Sequence, residues 1–183
     1  MNKDFSNALL LGRFQTLHKG HEMMIDTALR ASDNVVVFIG SAQEARTSKN
    51  PFSYDERKMM LEAIYGSKII IEPLNDIGVG NVPAWGDYVL NSYKERHHVL
   101  PDLIVSGEEN RRTSWLDEKY SDEITEIFIP KTIDISASSL RAMILKKDFE
   151  SWSKYVNPKL HQYFDFYENI ISLSQKNTKT ASL

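Results

Sequence analysis

Five short runs of mostly valine, isoleucine and leucine, each separated from the next by a longer stretch of helical periodicity, constrain this chain more than any other feature. They are Ala8 to Leu11, Val35 to Ile39, Lys68 to Ile71, Leu103 to Val105 and Ile124 to Ile129. A strand apolar at nearly every position has both faces buried. Such strands alternating with helices are the pattern of a parallel sheet covered on both sides. Helices are expected from Gly20 to Ala31, Tyr54 to Tyr65, Pro83 to Arg96, Arg111 to Lys119 and Ser138 to Lys146. Beyond Phe149, Leu160, Tyr163, Phe164 and Tyr167 read as the apolar stripe of terminal helices. The expected class is α/β: a Rossmann-like parallel five-stranded sheet with helices on both faces and C-terminal helices. In open sheets of this kind ligands lie beyond the carboxyl ends of the strands, so residues directly after strands are the ones to inspect.

With 183 residues the chain fits one domain, read as residues 1–171, followed by a polar and flexible tail over 172–183. Cysteine is absent, which excludes disulfides, thiolate metal sites and cysteine nucleophiles. The formal charge of −3, with both signs interspersed, argues against nucleic-acid binding. The polar start and the short Ala8 to Leu11 run are too brief for a signal or a membrane span, so a cytoplasmic protein is expected. A homo-oligomer is compatible with the sequence but not indicated by it.

Immediately after the first run stand Gly12, Arg13, Phe14, Gln15, Thr16, Leu17, His18, Lys19, Gly20 and His21, leading into a helix. Gly12 is read as allowing a ligand close to the strand end, and Gly20 as clearing space for phosphates at the helix start. His18 and His21, three apart, can point into one small volume, with Arg13 and Lys19 adding fixed charge. A metal site would need a third ligand, and the zincin spacing is absent. No protein metal ligand is therefore assigned.

Far along the chain, after the fifth run, Ile135, Ser136, Ala137, Ser138, Ser139, Leu140 and Arg141 open another helix. The serines are natural N-caps. Arg141, one turn in, can reach back so that hydroxyls, free amides and a guanidinium converge on one anion.

These two segments, in this order and each after an apolar strand, resemble the signatures of the nucleotidyltransferase superfamily, HxGH and ISxSxLR. GRFQ resembles in particular the archaeal-type nicotinamide-nucleotide adenylyltransferases, as does the Ile39 to Arg57 segment. That family typically has proline where this chain has Thr16. The resemblance implies transfer of AMP from ATP to nicotinamide mononucleotide, giving NAD and pyrophosphate, with Mg2+ carried on the ATP. It implies catalytic roles for His18, His21 and Arg141. ATP binding would fall to Gly12, Arg13, Phe14, Gln15, Lys19, Gly20, Ser136, Ser138 and Ser139, making a cationic cradle for a triphosphate. Trp85 is the candidate to stack on the nicotinamide ring, with a core role for the same residue weighed equally; Gly107 and Asn110 would also contact the acceptor.

Other readings stay open at this point. The same chemistry would serve phosphopantetheine or a cytidylyltransferase-type alcohol phosphate, and a non-catalytic nucleotide-binding module would keep the same fold. Arg57 fits a helix-surface ion pair with Asp55 or Glu56. Glu108 and Glu109 read as solvated charges, His97 and His98 as surface residues at a helix end, and Gly78 and Gly80 as too little for a dinucleotide loop.

Overall fold

The computed structural model describes residues 3–80, 82–107 and 116–180, with side chains described through 176. The elements run β1 (Phe5–Gly12), α1 (Lys19–Ala31), β2 (Ser32–Ile39), α2 (Tyr54–Tyr65), β3 (Ile70–Pro73), α3 (Pro83–His97), β4 (Leu103–Ser106), β5 (Thr125–Phe128), α4 (Ala137–Leu145), α5 (Phe149–Ser153) and α6 (Phe164–Thr180). The strands form one sheet in the order β3-β2-β1-β4-β5, and each paired neighbour is parallel. This is the expected α/β architecture. The strand order reverses between β1 and β4, so their carboxyl ends, at Gly12 and Ser106, open the crevice where ligands bind in such sheets.

The period-two geometry of strands divides the apolar residues between two cores. Ala8, Leu10, Val35, Val37, Ile39, Leu103 and Val105 face one side, where α1, α2, α4 and α6 contribute Ile25, Met60, Leu140 and Tyr167. Leu9, Val36, Phe38 and Ile104 face the other, under Val89, Leu90 and Tyr93 of α3. Ala8, Leu10, Val37, Phe38 and Ile39 have no exposed surface, which explains why the central runs read as continuously apolar.

The helix α2 begins with a complete capping box: Ser53 Oγ accepts from the Glu56 amide while Glu56 accepts from the Ser53 amide. Helix α3 ends on His98, whose φ of 62° fills the left-handed cap position that histidine tolerates better than most side chains. His97 lies 3.3 Å from Glu72 and packs on Tyr93, so it is half-buried rather than free on the surface.

Three expectations shift. Strand β3 starts at Ile70, not Lys68, because Gly66–Lys68 makes a 3-10 turn at the end of α2. The expected helix Arg111 to Lys119 lies mostly outside the described residues, and its far end, Glu118–Tyr120, is a single 3-10 turn. The chain after Ile171 does not leave the fold as a tail: α6 continues to Thr180. Ser174 is buried and donates to the Ile170 carbonyl one turn back, which removes the cost of placing a hydroxyl against the core.

Candidate active site

The loop between β1 and α1 is built around Phe14. Its φ of 50° is a conformation that costs an L-residue on the order of 1–3 kcal/mol and persists only where packing over-determines it. Here the ring is buried and lies under His21, with centroids 4.9 Å apart. It also explains Gly12: a Cβ there would sit 2.9 Å from Phe14 Cζ. Gly20 has a parallel reason, since its Cβ would come within 3.1 Å of the His18 ring. Both glycines make room for the motif's own rings.

His18 occupies the N-cap position of α1 and stacks on His21, ring centroids 3.8 Å apart and planes 29° from parallel. Burial, and next the nearby Lys131 charge, lower the His18 pKa to about 4. Burial, and next His18, hold His21 well below the usual histidine range. Both rings are therefore neutral near pH 7, and the positive charge of the cradle belongs to arginine and lysine. Nδ1 of each ring is buried without a partner, which leaves Nε2 as the corner able to meet a ligand.

The late segment closes on the early one. Arg141, in the second turn of α4, donates through Nη1 to the Gln15 carbonyl and through Nη2 to Ser138 Oγ at 3.2 Å. Burial, then the charge of Arg13, lower its pKa, which places the exposed Arg13 guanidinium near it. Ser136 caps α4 by accepting from the Ser139 amide at 3.1 Å, and the two hydroxyls are 2.7 Å apart. Residues 126 positions apart thus share one wall.

The remaining candidate residues have these surroundings. The Gln15 side chain is fully used: Nε2 donates to the Phe52 carbonyl at 2.8 Å and Oε1 accepts from the Phe52 amide at 2.9 Å. Lys19 points its ammonium at the Lys154 carbonyl, 2.6 Å away, and its amide donates to Tyr155 O at 2.9 Å. Trp85, in the first turn of α3, is half-buried on the opposite face of the sheet and packs on Tyr88. Gly107 follows β4 and backs onto α1, its Cβ direction 3.0 Å from Met24 Sδ. Asn110, Glu108 and Glu109 lie outside the described residues.

Two features went unread in the sequence. Lys131, in the connection from β5 to α4, influences His18 while pairing with Asp134 at 2.8 Å; the same connection touches α1 through Thr132 and Met23. Only its position just ahead of the ISASSLR segment could have drawn notice. Arg57, for which a helix-surface ion pair with Asp55 or Glu56 is one open reading of the sequence, has no exposed area, and Glu56 pairs with Arg46. Among the described residues no three histidine or carboxylate side chains form a metal cluster. Imidazoles, guanidinia and hydroxyls are donors to anions, and such a set suits a divalent cation that arrives on a polyphosphate.

The fold and this donor set define a phosphate-handling α/β domain, and the chain belongs to the cytidylyltransferase-like family, whose profile matches residues 9–153. Within that family it is similar to the nicotinamide-nucleotide adenylyltransferase of Thermoplasma volcanium, 34% identical over 93% of this chain and 92% of that one. The enzyme of the same name from Pyrococcus horikoshii is 29% identical over 95% of this chain and 90% of its own length. Among solved structures, a bifunctional NMN adenylyltransferase/ADP ribose pyrophosphatase from Francisella tularensis, complexed with AMP and a manganese ion, superimposes with a TM-score of 0.72 at 22% identity, covering 97% of this chain and 54% of that one. No helix among the described residues is long and apolar enough to cross a membrane.

Proposed function

We propose that this chain transfers AMP from ATP to nicotinamide mononucleotide, releasing pyrophosphate and giving NAD. The observation that carries the reading is the closure of Arg141 onto the Gln15 carbonyl beside the stacked His18 and His21. It builds one anion-binding wall from the ends of β1 and α4. The acceptor is supported by the relatives from Thermoplasma volcanium and Pyrococcus horikoshii, both named nicotinamide-nucleotide adenylyltransferases.

In the reaction an oxygen of the acceptor phosphate attacks the α-phosphorus of ATP; the new P–O bond forms as the bond to the bridging oxygen of the β-phosphate breaks. No protein nucleophile is needed, so the chain's task is positioning and charge. Neutral His18 and His21 each carry one N–H to donate to a phosphate oxygen. Arg141 and Arg13 supply fixed charge that gains strength as negative charge moves onto the leaving oxygens. Ser136, Ser138 and Ser139 add hydroxyls and the α4 N-terminus. Mg2+ bound to the triphosphate would neutralise part of its charge. Lys19 gives one of its three N–H groups to Lys154 O and has two left for phosphate oxygens. In this reading Trp85 would offer its face to the cationic nicotinamide, with Gly107 and Asn110 as the further acceptor contacts that the family resemblance implies. The chemistry is assigned to the cytoplasm, where ATP is made available.

Incubation with ATP, Mg2+ and nicotinamide mononucleotide should give the dinucleotide by mass spectrometry, with matching pyrophosphate release. Pyrophosphate release with phosphopantetheine or an alcohol phosphate, and none with nicotinamide mononucleotide, would retain the chemistry and overturn the acceptor.

A further inference from the structure

The guanidinium of Arg57 lies at the point where three segments of the site converge. Nε donates to Ser53 O at 3.1 Å, Nη1 to Arg13 O at 3.0 Å and Gly40 O at 2.7 Å, and Nη2 to Ser41 O at 3.1 Å. Four of its five N–H groups are thereby used, and every acceptor the structure gives it is a backbone carbonyl. Those carbonyls belong to the loop leaving β1, the loop leaving β2 and the cap of α2. Two further ties run between the same segments: the Gly40 amide donates to Gly12 O at 2.9 Å, and Gln15 pairs with Phe52.

A buried cation is costly to keep unless it is hydrogen-bonded. Burial, then the neighbouring Arg13 charge, bring the Arg57 pKa down to about 10, so the side chain remains protonated at neutral pH. Glu44 and Glu56 offset part of that charge from a distance, but neither is among its hydrogen-bond partners. A fixed positive charge is therefore held behind Arg13, the exposed guanidinium whose charge acts on Arg141.

We infer that Arg57 is a positioning residue for the nucleotide: by gripping the carbonyl of Arg13 it sets the direction of that side chain, and it adds a buried positive charge behind the triphosphate. This inference rests on the nucleotidyltransferase reading of the site. It distinguishes ATP from the acceptor, because the segments Arg57 grips contain Arg13 and adjoin Gln15, whereas Trp85 sits on the other face of the sheet.

The test uses the whole chain with Arg57→Lys and Arg57→Gln, each checked for folding by circular dichroism. ATP affinity is measured by calorimetry without acceptor, and KM and kcat are then measured for both substrates. Arg57→Gln, which loses both charge and fork, should weaken ATP by roughly 10- to 100-fold. The acceptor KM should stay within about twofold of wild type, the pattern of one substrate's contacts being lost. Arg57→Lys keeps the charge but brings one nitrogen to four carbonyls, and should fall between Arg57→Gln and wild type. If Arg57→Gln fails to fold, Arg57→Lys decides. Wild-type ATP affinity in a folded Arg57→Lys, or equal weakening of ATP and acceptor in both variants, would overturn the inference. A wild-type chain that binds ATP but makes no dinucleotide would overturn the acceptor assignment and leave this comparison decisive. A wild-type chain that binds no ATP would overturn both.

Discussion

Replacing His18 by asparagine should make the ligand-free protein less sensitive to acid, by an amount that follows from its surroundings. The imidazole titrates near 6.5 when unfolded and at about 4 in the fold, because it is buried and faces Lys131. A base with a lowered folded pKa leaves stability untouched above pH 6.5 and withdraws it as the pH falls toward 4, since the unfolded chain takes up the proton first. Linkage puts the loss at about 2 kcal/mol by pH 5 and about 3 kcal/mol by pH 4, relative to pH 7.5. Urea midpoints of wild type and His18→Asn, taken at half-unit steps from pH 7.5 to 4.5, give the effect as a difference in which the distant carboxylates largely cancel. The two curves should converge on acidification, with the variant gaining about 2 kcal/mol on wild type at pH 5. A difference that stays constant across that range, or an imidazole resonance titrating near its unperturbed value, would refute the argument that the stacked pair is desolvated and neutral.

Arg141→Ala should lower turnover by roughly 100- to 1,000-fold while leaving the fold intact, read from initial rates and circular dichroism. Trp85→Ala should raise the KM for nicotinamide mononucleotide and leave the KM for ATP unchanged; a lost cation–π contact of about 0.5–2 kcal/mol corresponds to roughly a 2- to 30-fold rise. Gly12→Ala drives a methyl to 2.9 Å from the Phe14 ring and should cost about 1–3 kcal/mol of unfolding free energy in urea, with activity falling as His21 shifts with that ring.

What the sequence disclosed, and what it withheld, follows from range. The β2 run Val35 to Ile39 is apolar on both faces of a central strand, so it announces itself without any partner being known. The capping box at Ser53 and Glu56 is equally local. The motif histidines are found by their spacing, but their neutrality depends on burial under segments that spacing does not report. Arg57 looks like any helix charge beside Asp55 and Glu56 until three loops converge on it. Lys19 carries a charge that the motif assigns to a ligand, yet the chain folds the Lys154 carbonyl into its reach. Gly12 and Gly20 stand out in the sequence for lack of a side chain, but the rings that crowd them, Phe14 two residues downstream of one and His18 two upstream of the other, are legible only in the fold.

The grip of residues 154–157 on the start of α1 bears on how this protein comes into being. Lys19 is held by Lys154 and Tyr155, and Glu22 accepts from Asn157 Nδ2 at 2.6 Å. A nascent chain released as far as β5 would own both histidines and still lack the braces that seat them, as well as Arg141 itself. Contacts spanning such separations form late, after their loop-closure cost has been met. Nucleotide should consequently be captured only once the chain has been made through Asn157, and ATP would report closure of these contacts rather than assist the early steps of folding.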